Sequence, residues 1–159
     1  MGKTLYVTDM DGTLLAPDSR VSSESARMIT ELSKRGALVT VATARTPATV
    51  EPLLGETYIS LPAIVMTGAS LWDRQSKTYI HPQYIEQSIA EQIESLGAKY
   101  GINLFQYTLG ADGILKVYHK GEMSEQETAF VDEREDLQYK RFCLNHSYEN
   151  DRLTALFFA

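Results

Sequence analysis

Two aspartates separated by one residue, Asp9-Met10-Asp11, follow the apolar run Leu5 to Thr8 and precede Gly12-Thr13. Carboxylates this close repel one another, and burying either is costly without a counter-charge. A hard divalent cation relieves that repulsion, and Mg²⁺ takes carboxylate oxygens while keeping waters for a phosphate ligand. Residues two apart face the same way along a strand, but here the chain is leaving it. One acid is then free to attack while the other handles a proton. Gly12 lets the backbone turn and lets a ligand come close. An Asp-Gly pair also marks an ordinary turn. The apolar strand before it and Leu14-Leu15 after it favour the chemical reading.

The elements that must hold these acids can be read from the pattern. Ser22 or Ser23 caps a helix with Ala26, Ile29 and Leu32 at helical spacing, and Gly36 ends it after Lys34 and Arg35. Leu38 to Ala42 is a near-continuous apolar strand. Pro47 suits the first turn of a second helix running towards Leu54, and Ala63 to Met66 is a third strand closed by Thr67-Gly68. Strand, helix, strand, helix, strand predicts an α/β fold with a parallel, Rossmann-like core sheet. Functional groups in such sheets gather at the carboxyl ends of the strands, which points to Asp9, Asp11, Thr43, Thr67 and Gly68.

The grammar changes after residue 70. Leu71-Trp72 and Tyr79-Ile80 around a polar turn predict a β-hairpin. Ile85, Ile89, Ile93 and Leu96 mark one face of a helix ending near Gly97 or Gly101. Asn103 to Thr108 and Ile114 to Tyr118 predict a strand pair, residues 122–136 an acidic, solvated helix or loop, and Leu153 to Ala159 a last strand. The chain divides into an α/β core over about 1–80 and an α+β accessory domain from about 81. Trp72, Tyr79 and Tyr84 are expected to pack the hinge between them.

Composition narrows the partners. The 159 residues carry a formal net charge of −6, and 43% are hydrophobic. Residues 1–80 hold eight acids and eight bases, whereas residues 81–159 hold thirteen acids and seven bases. A nucleic-acid binder would show a basic patch instead. No stretch approaches the roughly 20 apolar residues of a membrane span, and the apolar run before Asp9 is far too short to read as a signal peptide. The single cysteine, Cys143, forbids an internal disulfide and reads as a buried small hydrophobe. The expectation is a reduced, cytoplasmic protein. His81, His119 and His146 lack metal-ligand spacing and are expected to serve packing or surface.

The string Tyr6-Val7-Thr8-Asp9-Met10-Asp11-Gly12-Thr13-Leu14-Leu15 resembles the first motif of the haloacid dehalogenase-like (HAD) hydrolase superfamily. Val39-Thr40-Val41-Ala42-Thr43-Ala44-Arg45 resembles its second motif, a strand ending in Ser or Thr. An accessory domain after the third strand is similar to the cap of the Cof-type subgroup. The resemblance implies a Mg²⁺-dependent phosphate monoester hydrolase acting on a small phosphorylated metabolite such as a sugar phosphate. Asp9 would be the nucleophile that forms an aspartyl-phosphate, and Asp11 the acid and then the base. The Asp9 carboxylate and the Asp11 carbonyl would hold the metal. Thr43 and backbone amides at Met10 and Gly12 would bind phosphate, with Arg45 and Gly68 near the substrate. An acid at position 11 favours phosphate chemistry over dehalogenation, because a phosphate ester needs its leaving oxygen protonated and a halide does not.

Some of the family's pattern is missing. Ala44 stands where Gly is usual, and Thr67 where Asn often precedes Gly-Ala. Residues 60–159 contain neither the family's third-motif lysine nor a late GDxxxD-type acidic motif. Lys116, Lys120 and Lys140 all fall in the cap. These absences predict the N-terminal portion of a longer enzyme, weak or inactive alone, with an incomplete cap. Leu5 to Thr8 would then lie on an open, apolar sheet edge prone to self-association or to pairing with the missing portion. Two other readings stay open. One is a non-catalytic binding or assembly protein on a truncated scaffold. The other is a receiver-type phospho-acceptor domain, against which stands the lack of an acid after the third strand.

Overall fold

The computed structural model describes residues 4–146 and 153–159. The chain divides into two compact units, Met1–Pro82 and Gln83–Ala159.

The first unit is built on a five-stranded sheet in the order β1 (Leu5–Asp9), β2 (Leu38–Ala42), β3 (Ala63–Val65), β4 (Ser70–Asp73), β5 (Thr78–Ile80). The first three strands are parallel, with Asp9 opposite Ala42 and Ala42 opposite Ile64. Two helices make the crossovers. In α1 (Ser23–Lys34), the hydroxyl of Ser22 accepts the Ser25 N–H at 3.1 Å, and Gly36 follows the helix at φ +93°. In α2 (Pro47–Leu54), Pro47 occupies the first turn, where its missing N–H costs nothing. The expected hairpin β4–β5 continues the same sheet in antiparallel fashion. The α/β fold with a parallel core sheet is therefore present.

The core of this unit gathers Val41, Val50, Leu54, Ala63, Val65 and Trp72, all buried. Trp72 meets Tyr79 edge-on at 5.0 Å, and its indole N–H donates to Glu51 Oε1 at 2.6 Å. Trp72 is thus a core residue of the first unit with the half-buried Tyr79 packed against it, while Tyr84 is exposed. The opposite edge of the sheet differs. Among the described residues β1 has a neighbour on one side only, and Leu5, Tyr6 and Val7 are 52, 59 and 48% exposed. The strand whose composition reads as buried is open because no described residue pairs with its outer side. The apolar stripe of α1 shares that exposure: Tyr6, Leu14, Ile29 and Leu32 line one apolar groove beside β1.

The second unit is a four-stranded sheet ordered β8 (Lys140–Leu144), β7 (Leu115–His119), β6 (Phe105–Leu109), β9 (Leu153–Phe158). Only β7 and β8 are parallel, and α4 (Glu125–Asp132) crosses between them. β8 has no counterpart in the sequence reading, and it leaves Cys143 only half-buried. The helix α3 (Gln87–Tyr100) starts later than its apolar spacing suggests. Ile85 lies before it and donates its N–H to Thr154 O at 2.8 Å. Ile89 and Leu96 are about half exposed, so the apolar face of α3 is only partly packed. Gly97 is required by space: a Cβ there would stand 2.6 Å from Leu104 Cδ1 and 3.2 Å from the Ile102 carbonyl oxygen.

The acidic stretch is not wholly solvated. Ser124 and Glu127 form a reciprocal capping box at the start of α4. From the same helix Phe130 packs into a ring cluster with Phe105, Phe142 and Phe158. Among the described residues no helix is long and apolar enough to cross a membrane.

Candidate active site

Asp9 is the last residue of β1, and the chain leaves it in a single wide turn over Met10–Leu14. The turn is closed by the Leu15 N–H donating to Met10 O at 2.9 Å. The side chain of Met10 is completely buried and anchors the turn from beneath. Gly12 sits at φ +72°, in the left-handed region that side chains avoid. Between the buried Met10 and the turning Gly12, Asp9 and Asp11 stay at the surface.

The carboxyl ends of the neighbouring strands converge there. The register that sets Asp9 against Ala42 places Thr43 just beyond it. Thr43 is buried, donates its N–H to Ile64 O at 3.0 Å, and accepts the Thr67 N–H on its carbonyl at 3.1 Å. Its hydroxyl accepts the Arg45 N–H at 3.2 Å. The Arg45 carbonyl in turn accepts the Met66 N–H at 3.0 Å. At the end of β3, Met66, Thr67 and Gly68 are successively left-handed, at φ +55, +57 and +87°. Two consecutive non-glycine residues in that region are costly, and such outliers concentrate at ligand clamps. Thr67 and Gly68 lie exposed on the same sheet edge as Asp9.

Arg45 makes a contact that spacing alone does not reveal. Its Nε donates to Asp11 Oδ2 at 2.8 Å and its Nη2 to Asp11 Oδ1 at 2.7 Å, a two-pronged match of guanidinium to carboxylate. These hydrogen bonds, helped by the positive charge and opposed by slight desolvation, hold the Asp11 carboxyl below the ordinary aspartate range. The partner effect raises Arg45. The structure therefore brings Asp9, Met10, Asp11, Gly12, Thr43, Arg45 and Gly68 to one sheet edge. It engages the Asp11 carboxylate with Arg45, where the sequence reading placed Arg45 beside the substrate. A signal for that pair was available: Arg45 is three residues past the end of β2, the strand adjacent to Asp9, so both side chains emerge at the same edge.

A divalent cation would find two hard oxygen donors of the right kind here, the exposed Asp9 carboxylate and the Asp11 carbonyl. The Asp11 carboxylate is committed to Arg45. Among the described residues no three His, Cys, Asp or Glu side chains converge into a ready-made metal cluster.

A parallel α/β sheet carrying paired aspartates, a buried threonine and a guanidinium at its carboxyl edge defines a Rossmann-like α/β protein. Residues 6–157 match the family model described as haloacid dehalogenase-like hydrolase, and the chain belongs to that family. It is 30% identical over 86 residues to the 5-amino-6-(5-phospho-D-ribitylamino)uracil phosphatase of Bacillus subtilis, a stretch covering 52% of this chain and 34% of that protein. It is 31% identical over 89 residues to the HMP-PP phosphatase of Serratia proteamaculans, covering 56% of this chain and 32% of that protein. A haloacid dehalogenase-like hydrolase from B. subtilis shares the fold with a TM-score of 0.69 and 19% identity, over 94% of this chain and 59% of that one. The matched stretches thus span about a third of the curated relatives' length.

Proposed function

We propose that this chain carries the nucleophile half of a phosphate monoester hydrolase acting on a small phosphorylated metabolite. The observation behind the reading is the convergence of Asp9, Asp11, Thr43 and Arg45 at one sheet edge, with the Asp11 carboxylate held in both prongs of Arg45. In this reading an Asp9 oxygen attacks phosphorus while the ester P–O bond breaks, and Asp11 gives its proton to the departing alkoxide. Water then attacks the aspartyl-phosphate and yields its proton to Asp11, so that phosphate leaves and Asp9 is restored. Thr43 and the amides at Met10 and Gly12 orient the phosphoryl oxygens, and such positioning carries much of the catalysis in phosphoryl transfer.

The Arg45 clamp has a place in this sequence. Arg45 favours ionised Asp11, the form that takes a proton from water. The proton-donating form requires the guanidinium to turn away, and the anionic phosphoryl group is the natural competitor for it. Mg²⁺, held by the Asp9 carboxylate and the Asp11 carbonyl, would supply neutralisation of phosphoryl charge. The second unit would act as the cap that selects the substrate. The further lysine and late acids that the family pattern calls for would come from the rest of the whole protein, pairing at the open β1 edge.

The similarity of this chain to two proteins named as phosphatases supports the reading. Its test is phosphate release from a panel of sugar and nucleotide monophosphates by the whole protein, with and without Asp9→Asn. The variant is expected to fold normally, by circular dichroism, and to lose turnover. Turnover retained by folded Asp9→Asn refutes the assigned nucleophile.

A further inference from the structure

The second unit carries an excess of acids, yet its sheet buries a lysine that no acid among the described residues meets. Lys140 opens β8, is 7% exposed, and has neither a hydrogen bond nor an ion pair with any described residue. Its Nζ lies over aromatic rings, 4.7 Å from the Phe142 centroid and 5.8 Å from that of Phe130. Burial, and then the positive charge of Arg134, push its pKa down to about 8. A neighbouring carboxylate would act in the opposite direction.

Two more donors point to the same place. Arg134 follows α4 and lies 4.4 Å from the centroid of the same Phe130 ring. Its Nη1 donates to Glu133 Oε2 at 2.7 Å and to Phe130 O at 3.1 Å, while its Nε and Nη2 have no partner among the described residues. Tyr107 shares the sheet face of Lys140. It stands opposite Val117, which stands opposite Phe142, two residues along β8 from Lys140. The Tyr107 phenol is buried, without a described partner, and pushed up to about 12 by that burial against the charge of Arg134.

An ammonium and a guanidinium meet on the Phe130 ring, a buried phenol lies on the same sheet face, and no described acceptor reaches Lys140, the Tyr107 hydroxyl or the Nε and Nη2 of Arg134. A cation taken out of water without a counter-ion is costly, and ring contacts offset only part of that cost. An oxyanion would satisfy all three at once, and the guanidinium edge matches two of its oxygens. We propose that Lys140, Arg134 and Tyr107 form an oxyanion site of the second unit that takes a phosphate group, free or esterified. The site shares no residue with the Asp9 edge and stands independently of the hydrolase reading.

The test is protection of Lys140 in the full chain. Acetic anhydride modification is followed by peptide mass spectrometry, with the exposed Lys34 and Lys99 as internal references and inorganic phosphate as probe. Phosphate at about ten times its Kd should slow Lys140 acetylation roughly tenfold relative to the references. Arg134→Gln should abolish the protection without unfolding the chain. In parallel, phosphate should raise the melting temperature of Lys140→Arg, which keeps the charge, and not that of Lys140→Met. Equal protection by chloride at matched ionic strength, protection unchanged in Arg134→Gln, or a Lys140 that resists acetylation without phosphate overturns the proposal. A phosphate ester that protects where inorganic phosphate does not would identify the esterified form as the ligand.

Discussion

The polar knot under Trp72 offers a prediction whose size can be worked out. Glu51, on α2, is 14% exposed and accepts three donors: the Trp72 indole at 2.6 Å, Lys77 Nζ at 2.9 Å and Arg74 Nη2 at 3.2 Å. Burial raises its pKa, but the hydrogen bonds and the Arg74 charge outweigh burial and leave it below the ordinary glutamate range. Glu51→Ala strands a wholly buried indole N–H, which costs about 1–3 kcal/mol. It also removes the carboxylate partner of Arg74, which keeps its bonds to the Thr57 and Gly55 carbonyls, and the half-exposed Lys77 adds only about 0.2–1 kcal/mol. The loss should total about 2–4 kcal/mol. For a unit of this size each kcal/mol moves Tm by about 4–8 °C, so a fall of about 10 °C or more is expected. Trp72 is the one tryptophan of the chain, and its fluorescence during urea unfolding reports this unit directly.

The pH dependence has a definite sign. A carboxyl whose folded-state pKa is depressed contributes its stability fully above the unfolded value of about 4.3. That contribution disappears as pH falls through the lower, folded value. Wild type should therefore lose stability on acidification through this range, while Glu51→Gln, weaker at neutral pH, converges with it. A urea midpoint for Glu51→Ala within about 0.5 kcal/mol of wild type refutes the argument. So would an unchanged gap between wild type and Glu51→Gln across the acid range.

Other outcomes follow from single contacts. A double-mutant cycle of Arg45→Met and Asp11→Asn should give a coupling near the upper end of about 0.2–1 kcal/mol, because the exposed pair is two-pronged, and it should shrink in high salt; zero coupling would mean the clamp is not held in solution. Gly97→Ala should cost about 1–3 kcal/mol in a thermal melt, since the Ile102 carbonyl cannot yield as the Leu104 side chain can; an unchanged melt would contradict the tight approach. Val7→Lys should reduce self-association of these 159 residues in sedimentation velocity, because a charge on an open strand edge blocks edge pairing. Identical sedimentation of the two forms would show that the edge does not pair.

Much of the first unit is legible in the chain because its signals are local. Ser22 and Gly36 bound α1, Pro47 starts α2, and the run Leu38 to Ala42 can only be a buried strand. The acids at the end of β1 and Thr43 at the end of β2 follow from one rule, that parallel strands present their carboxyl ends on a common edge. The second unit is less legible. β8 opens on two consecutive charges, Lys140 and Arg141, soon after an acidic helix, so Lys140 reads as one more surface charge. Only the pairing of β8 with β7 buries it.

Sequence by itself determined which residue types stand at the sheet edge, because strand, turn and helix signals act over a few residues. Tertiary structure alone decided how those residues are engaged. Arg45 and Asp11 are 34 residues apart, and no periodicity joins them until β1 and β2 lie side by side. The same holds for Glu51 beneath Trp72 and for Lys140 on the rings of Phe130 and Phe142. A charge acquires its partner, or is left without one, only when distant segments pack and exclude water. That exclusion is a property of the fold rather than of any stretch of chain.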